Sequence, residues 1–262
     1  MDPKGILLFD IDGVIRDVSR SYRLAIKETV YHFVRYKPTT NEIDVLKAEG
    51  TWNNDWDASM ELIKRHKKKE ALDKELPIQS ELVRVFSNFY FGGDPNGNSK
   101  NWKGYICNEP LLIKNNFFNS LTQKGFSWGF LSGAERPSAK FILEDRLGLK
   151  DPPLIAMEDA PSKPDPTGLL RIAQSLLKQE LGKEAPVIAY LGDTVADVLT
   201  VKNAQKRIPN QLFKSLAVAP PHLHGESKKE ERKAYERQLK CAGTDIILSC
   251  TEDLIQYSEL IS

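Results

Sequence analysis

Gly5-Ile6-Leu7-Leu8-Phe9-Asp10-Ile11-Asp12-Gly13 runs without a polar side chain for five residues and then delivers two aspartates two positions apart. A short, uninterrupted apolar run of this kind suits a strand buried on both faces, as in a parallel sheet. Comparable runs recur at 127–131, 154–157, 187–191, 216–219 and 245–248. Helix-patterned stretches separate most of them, at 110–123, 137–147, 166–181 and 196–206. Strand alternating with helix specifies βαβ units with right-handed crossovers. The expected fold class is therefore α/β, with a Rossmann-like parallel sheet core flanked by helices.

Between the first strand and the rest lies a stretch of another kind. Helical periodicity dominates 22–34, 41–49, 55–66 and 80–90, strand signal is scarce, and a Gly- and Asn-rich loop follows at 92–104. An all-helical block at this place reads as an inserted domain. The expected division is 1–16 plus 106–262 for the α/β core and 17–105 for the helical insertion. The charge-dense stretches 64–70 and 226–240 mix with helical periodicity and are simplest as solvated faces.

The 262 residues are 40% hydrophobic and 28% charged, with 37 Lys+Arg against 36 Asp+Glu for a formal net charge of +1. Nothing here gives a broad electrostatic drive toward nucleic acid or an anionic membrane. No apolar run approaches the ~20 residues of a membrane span, and the apolar stretch at the N-terminus is too short for a signal peptide. Cys107, Cys241 and Cys250 are odd in number and far apart, which argues against a disulfide framework or a cysteine zinc site and for a reducing, cytoplasmic setting.

In such a sheet, ligands bind beyond the carboxyl ends of the strands. The polar residues that follow each strand are Asp10 and Asp12, Ser132 and Gly133, Lys163, and Asp193 and Asp197. If the strands are neighbours, carboxylates, a hydroxyl and an ammonium converge on one crevice. Carboxylates gathered without partners repel one another and call for a cation; hard oxygen ligands with room for water suit Mg2+. A carboxylate so neutralised can attack phosphorus, while a lysine, a hydroxyl and backbone N–H groups hold the phosphoryl oxygens.

Phe9-Asp10-Ile11-Asp12-Gly13-Val14-Ile15, Leu131-Ser132-Gly133, Lys163-Pro164-Asp165-Pro166 and Gly192-Asp193-Thr194-Val195-Ala196-Asp197 resemble the four ordered motifs of the haloacid dehalogenase-like hydrolase superfamily. The helical insertion resembles the cap domain of its phosphoglycolate phosphatase/β-phosphoglucomutase-like branch. The resemblance implies a magnesium-dependent phosphatase of a small phosphorylated metabolite. Asp10 would be the nucleophile and a metal ligand. Asp12 would be the general acid/base, with its backbone carbonyl on the metal. Ser132 and the Gly133 amide would bind phosphate, and Lys163 would pair with phosphate and Asp10. Asp193 would complete the metal site, with Asp197 as a direct ligand or a partner of one. The dehalogenases that name the superfamily lack an acid at the position of Asp12 and need no metal, and phosphonoacetaldehyde-hydrolase-like members lack it too. Asp12 thus argues for cleavage of a phosphate ester.

Each residue has a plainer reading beside this one. An Asp pair after a strand is often a turn or a helix cap, Ser132 a loop residue, Lys163 a surface lysine, and Asp197 a solvated first-turn residue. Asp165, just before Pro166, reads as a helix cap. Glu158 and Asp159 follow a strand without an evident role, and His222 and His224 have a metal-like spacing but no third ligand. In the insertion, Trp52, Asn53, Asn54 and Asp55 cluster around Gly50 between two helices. They form either a loop that selects substrate or a structural turn, with Asn54 or Asp55 capping the next helix. Arg16 and Arg23 lie close enough to the first motif to meet a second anionic group on a substrate. Two rivals stand against the phosphatase: a phosphomutase using the same motifs, and a phospho-ligand-binding or signalling protein without catalysis.

Overall fold

A computed structural model describes residues 3–49, 52, 54–71, 75–177 and 179–257. The chain divides into two compact units, Met1–Asp17 with Pro110–Ser262, and Val18–Glu109.

The first unit is built on a six-stranded sheet, all of whose pairings are parallel. Its strands are β1 (Gly5–Phe9), β2 (Phe126–Leu131), β3 (Leu154–Ile155), β4 (Val187–Gly192), β5 (Phe213–Val218) and β6 (Ile246–Leu248), in the order β3-β2-β1-β4-β5-β6. Every residue of β1 is buried, because alternate side chains serve opposite faces. Ile6 and Leu8 join Leu169 and Ile172 on one side, and Phe9 packs edge-on against Phe117 and Phe118 on the other. This double burial is why β1 lacks the polar alternation of a half-exposed strand. Each such side chain contributes about 1.5–3 kcal/mol on leaving water.

The sheet's helices depart from expectation in instructive ways. The helix expected at 110–123 begins only at Phe117 (Phe117–Gln123). The residues before it pair with the loop after β1 instead, through Asp17 N to Pro110 O at 2.8 Å and Leu112 N to Ile15 O at 2.9 Å. The stretch at 137–147 is an α-helix over Arg136–Lys140 that widens into a π-helix over Phe141–Arg146. The helix expected to reach 181 stops at Leu176 (Thr167–Leu176). β3 has two residues rather than four, since Ala156 N donates to the Asp159 carboxylate at 2.6 Å and leaves the ladder. That bond, with an Arg136–Asp159 ion pair, makes Asp159 a loop-closing residue. The remaining helices of this unit are Val195–Arg207, Lys229–Ala242 and Leu254–Tyr257.

The second unit holds helices Ser21–Val34, Thr40–Ala48, Asp55–Lys69 and Gln79–Phe91, with the first packed on the third and fourth. Its end lies at Glu109 rather than 105, because the 3-10 turn Tyr105–Asn108 packs on the first and fourth of these helices. Among the described residues, no helix is long and apolar enough to cross a membrane.

Candidate active site

The strand order decides where chemistry can gather. β1 lies between β2 and β4, so the residues leaving the three carboxyl ends are neighbours. Asp10 follows β1 and extends the ladder by one bond, its N–H reaching Leu191 O at 2.9 Å. Ser132 follows β2 and is fixed by a 2.9 Å bond to Ile155 O. Asp193 follows β4, and Lys163 comes in from the loop after β3.

The charged groups form a buried network. Lys163 Nζ lies 2.6 Å from Asp197 Oδ1 and 3.1 Å from Asp10 Oδ1, with the three side chains 15%, 2% and 8% exposed. Asp197 also builds the start of its own helix: its Oδ2 accepts from Thr194 N at 2.9 Å, while Thr194 Oγ1 accepts from Asp197 N at 3.3 Å. This reciprocal capping box fixes the carboxylate and satisfies two helix N-terminal donors. Ligand oxygens of Asp10, Asp193 and Asp197 all lie within 4.8 Å of one another.

Two glycines make room for this crowding. Gly13 has φ +76°, and a Cβ there would come 2.1 Å from Asp193 Oδ2. At Gly192 a Cβ would come 2.3 Å from the Asp197 Cβ. At the turn after β2, Ser132 Oγ accepts from Ala134 N at 3.1 Å, and a Cβ on Gly133 would meet nothing within 4 Å. The Ser132–Gly133 turn therefore borders open space.

Burial pushes the Asp10 carboxyl up to about 7, with Asp197 and Asp12 adding repulsion and Lys163 opposing it. Burial likewise holds Asp193 well above the usual carboxylate range, reinforced by Asp197 and Asp10. Asp197 ends below that range, since Lys163 and the Thr194 bonds outweigh its burial. Lys163 stays a cation, its burial more than offset by Asp10 and Asp197. One ammonium does not balance these carboxylates. Asp10 Oδ1 sits in ionic contact with Lys163 yet accepts no hydrogen bond of acceptable geometry. An all-oxygen set with an orphaned carboxylate oxygen fits a hard divalent cation such as Mg2+.

Other expected residues fall elsewhere. Arg16 does not point at solvent to receive a substrate anion: it is fully buried in the sheet unit, its Nε 2.7 Å from Asp12 Oδ1. Asn54 caps its helix, its Oδ1 accepting from Trp56 N at 2.8 Å and Asp57 N at 3.3 Å. Asp55 pairs with Lys47 at 2.6 Å, and Trp52 Nε1 donates to Glu49 at 2.9 Å. Asn53 lies outside the described residues. Asp165 accepts from Thr167 N at 2.8 Å, and His224 Nε2 contacts Ala219 O at 2.6 Å, so both serve local structure.

Sequence reasoning missed Tyr190. Its hydroxyl donates to Leu131 O at 2.9 Å and lies 3.0 Å from both Lys163 Nζ and Asp197 Oδ1. The available signal was a phenol inside a wholly apolar strand, since a buried hydroxyl needs partners.

A parallel α/β sheet with acidic residues at the ends of its central strands and a lysine among them gathers its polar groups where enzymes of this fold class place a site. The chain belongs to the haloacid dehalogenase-like hydrolase family, whose model matches residues 5–205. It is 32% identical over 256 residues to a protein of Phytophthora nicotianae described as imidazoleglycerol-phosphate dehydratase, covering 94% of this chain and 50% of that one. The chain thus spans about half the length of the curated relative it matches. Among solved structures it resembles phosphatase Tt82 from Thermococcus thioreducens, with a TM-score of 0.61 and 21% identity over 90% of this chain and 99% of that one. A phosphonoacetaldehyde hydrolase-like protein from Oleispira antarctica gives a TM-score of 0.66 at 13% identity, covering 99% and 92%. These two likenesses establish the shared fold.

Proposed function

We propose that the protein is a magnesium-dependent phosphatase that hydrolyses a small phosphorylated metabolite through an aspartyl-phosphate on Asp10. The observation that carries this reading is the buried Asp10 Oδ1, which accepts no hydrogen bond and lies 3.1 Å from Lys163. A carboxylate oxygen whose lone pairs are not engaged by a hydrogen bond is suited to nucleophilic attack.

Asp10 attacks phosphorus and the ester P–O bond breaks, with Asp12 giving a proton to the departing alkoxide. Asp12 then takes a proton from water as the water oxygen attacks the acyl phosphate, releasing inorganic phosphate and restoring Asp10. Lys163, Ser132 and the Gly133 amide hold the phosphoryl oxygens. Asp10 and Asp193, with the Asp12 carbonyl, would hold Mg2+, and Asp197 acts through Lys163. When bound, the metal neutralises the carboxylates and the charge developing on the transferred group.

The substrate is a metabolite rather than a nucleic acid or a membrane, and the setting is the reducing cytoplasm; the near-zero net charge and sparse cysteines support this. The relative's name makes an imidazole-bearing polyol phosphate the first ester to test. The helical unit is proposed as a cap domain. A phosphomutase would use the same groups but return the phosphoryl group to a sugar. Hydrolysis of an aryl phosphate should require added Mg2+, stop in chelator, need no bisphosphate, and fall by at least about 10³-fold in Asp10→Asn. Undiminished turnover in chelator or in Asp10→Asn contradicts the proposal.

A further inference from the structure

Arg16 is the largest fully buried side chain among the described residues. It belongs to a tight turn. Ile11 O accepts from Val14, Ile15 and Arg16 at 3.3, 2.8 and 3.1 Å, and Gly13 N donates to Arg16 O at 2.9 Å. Bridges pair Arg16 with Asp12 on one side and with Leu111 on the other. The side chain then reaches in two directions. Its Nε lies 2.7 Å from Asp12 Oδ1, and its Nη2 donates to Ser138 Oγ at 2.8 Å.

Ser138 is 1% exposed and sits in Arg136–Lys140, the helix that follows the Ser132–Gly133 turn. One planar guanidinium therefore ties the Asp12 carboxylate, whose side chain is 26% exposed, to the helix beside the phosphate turn. A guanidinium fixes direction as well as charge, because its donors are set in a rigid plane.

We propose that Arg16 is a positioning residue for Asp12: it holds the carboxylate in register with the phosphate turn, so that proton transfer to the leaving group and from the attacking water occurs from one fixed position. The inference rests on the phosphatase reading and deepens it. Arg16 itself touches no substrate.

A positioning role has a signature that general destabilisation lacks. An alkoxide leaving group needs the proton from Asp12, whereas 4-nitrophenolate leaves without it. Arg16→Met should therefore slow hydrolysis of glycerol phosphate by about 10²-fold in kcat with KM nearly unchanged. Phosphoenzyme formation from 4-nitrophenyl phosphate should survive, while its hydrolysis, which needs Asp12 as base, slows. Mixing should then release a burst of nitrophenol near one equivalent per site. Arg16→Lys should recover to within about 10-fold of wild type while still losing more kcat/KM, which reports phosphoenzyme formation alone, on the alkyl ester than on the aryl one. If Arg16→Met does not fold, Arg16→Lys carries the test through that unequal loss. Equal losses on both esters without a burst, or rates unchanged on both, overturn the role of Arg16 while leaving the phosphatase reading intact. Wild-type protein that turns over neither ester overturns both.

Discussion

Two sets of charges, one in each unit of this chain, behave in opposite ways. In the helical unit, two ion pairs sit at the surface and satisfy one another: Arg23 Nη2 lies 2.7 Å from Asp44, and Arg65 Nη1 lies 2.6 Å from Glu49, with all four side chains at least 27% exposed. In the sheet unit, Lys163, Asp10 and Asp197 meet with at most 15% exposure, and Asp10 keeps an oxygen without a hydrogen bond. Exposed pairs are screened by water and do little for stability or reactivity. Buried charges that are not fully partnered cost stability, and that cost marks a place where a ligand completes the set. The contrast makes predictions that separate the two kinds of charge.

The largest effect is expected at Lys163. Lys163→Met leaves Asp10 and Asp197 buried without their cation, so it should cost about 3–5 kcal/mol near neutral pH and lower turnover by about 10²–10³-fold. Chemical denaturation and steady-state rates measure both. A variant as stable and active as wild type would place Lys163 among the surface-type charges.

Next comes the coupling of metal to pH. Folded, the Asp10 carboxyl is raised from 3.8 to about 7, so between those values the folded chain keeps a proton that the unfolded chain releases. Metal-free stability should therefore fall as pH rises through that window. Mg2+, which competes with that proton, should raise the thermal midpoint more at neutral than at mildly acid pH. Calorimetry at several pH values, with and without the ion, checks it; an equal metal effect throughout would detach Asp10 from the ion.

A smaller change is expected from Tyr190→Phe, which removes one hydroxyl among three partners and should cost about 1 kcal/mol with a modest loss of rate. The smallest belongs to the helical unit. Arg23→Ala should cost less than about 1 kcal/mol and leave kcat and KM for an aryl phosphate unchanged. A raised KM would show that Arg23 meets the substrate after all.

Much of the sheet unit was legible because its signals are local. Five apolar residues followed by Asp10 announce a buried parallel strand and the point where polar chemistry can begin. The same logic finds Ser132, Asp193 and Lys163 after their own strands. The errors arise where distant backbone competes. Pro110 and Leu112 pair with the turn after β1, a partner about a hundred residues away, so no periodicity in 110–116 could report their loss to the helix. Arg16 is expected from sequence to meet a second anionic group on a substrate, because it follows the first motif closely; its burial against Asp12 and Ser138 is not legible there, since Ser138 is remote in sequence. Tyr190 looked like one more apolar strand residue until its hydroxyl met Lys163 and Asp197. Asn54, in contrast, was readable as a helix cap from its own neighbours.

The central claim is that the orphaned oxygen of Asp10 forms the covalent intermediate. Rapid acid quenching of the wild-type protein during turnover of an aryl phosphate, followed by peptide mapping, tests it most directly. A phosphoryl group on the peptide carrying Asp10, absent from Asp10→Asn, is the predicted result. Sustained turnover with that peptide never labelled, or with the label on another residue, would contradict it.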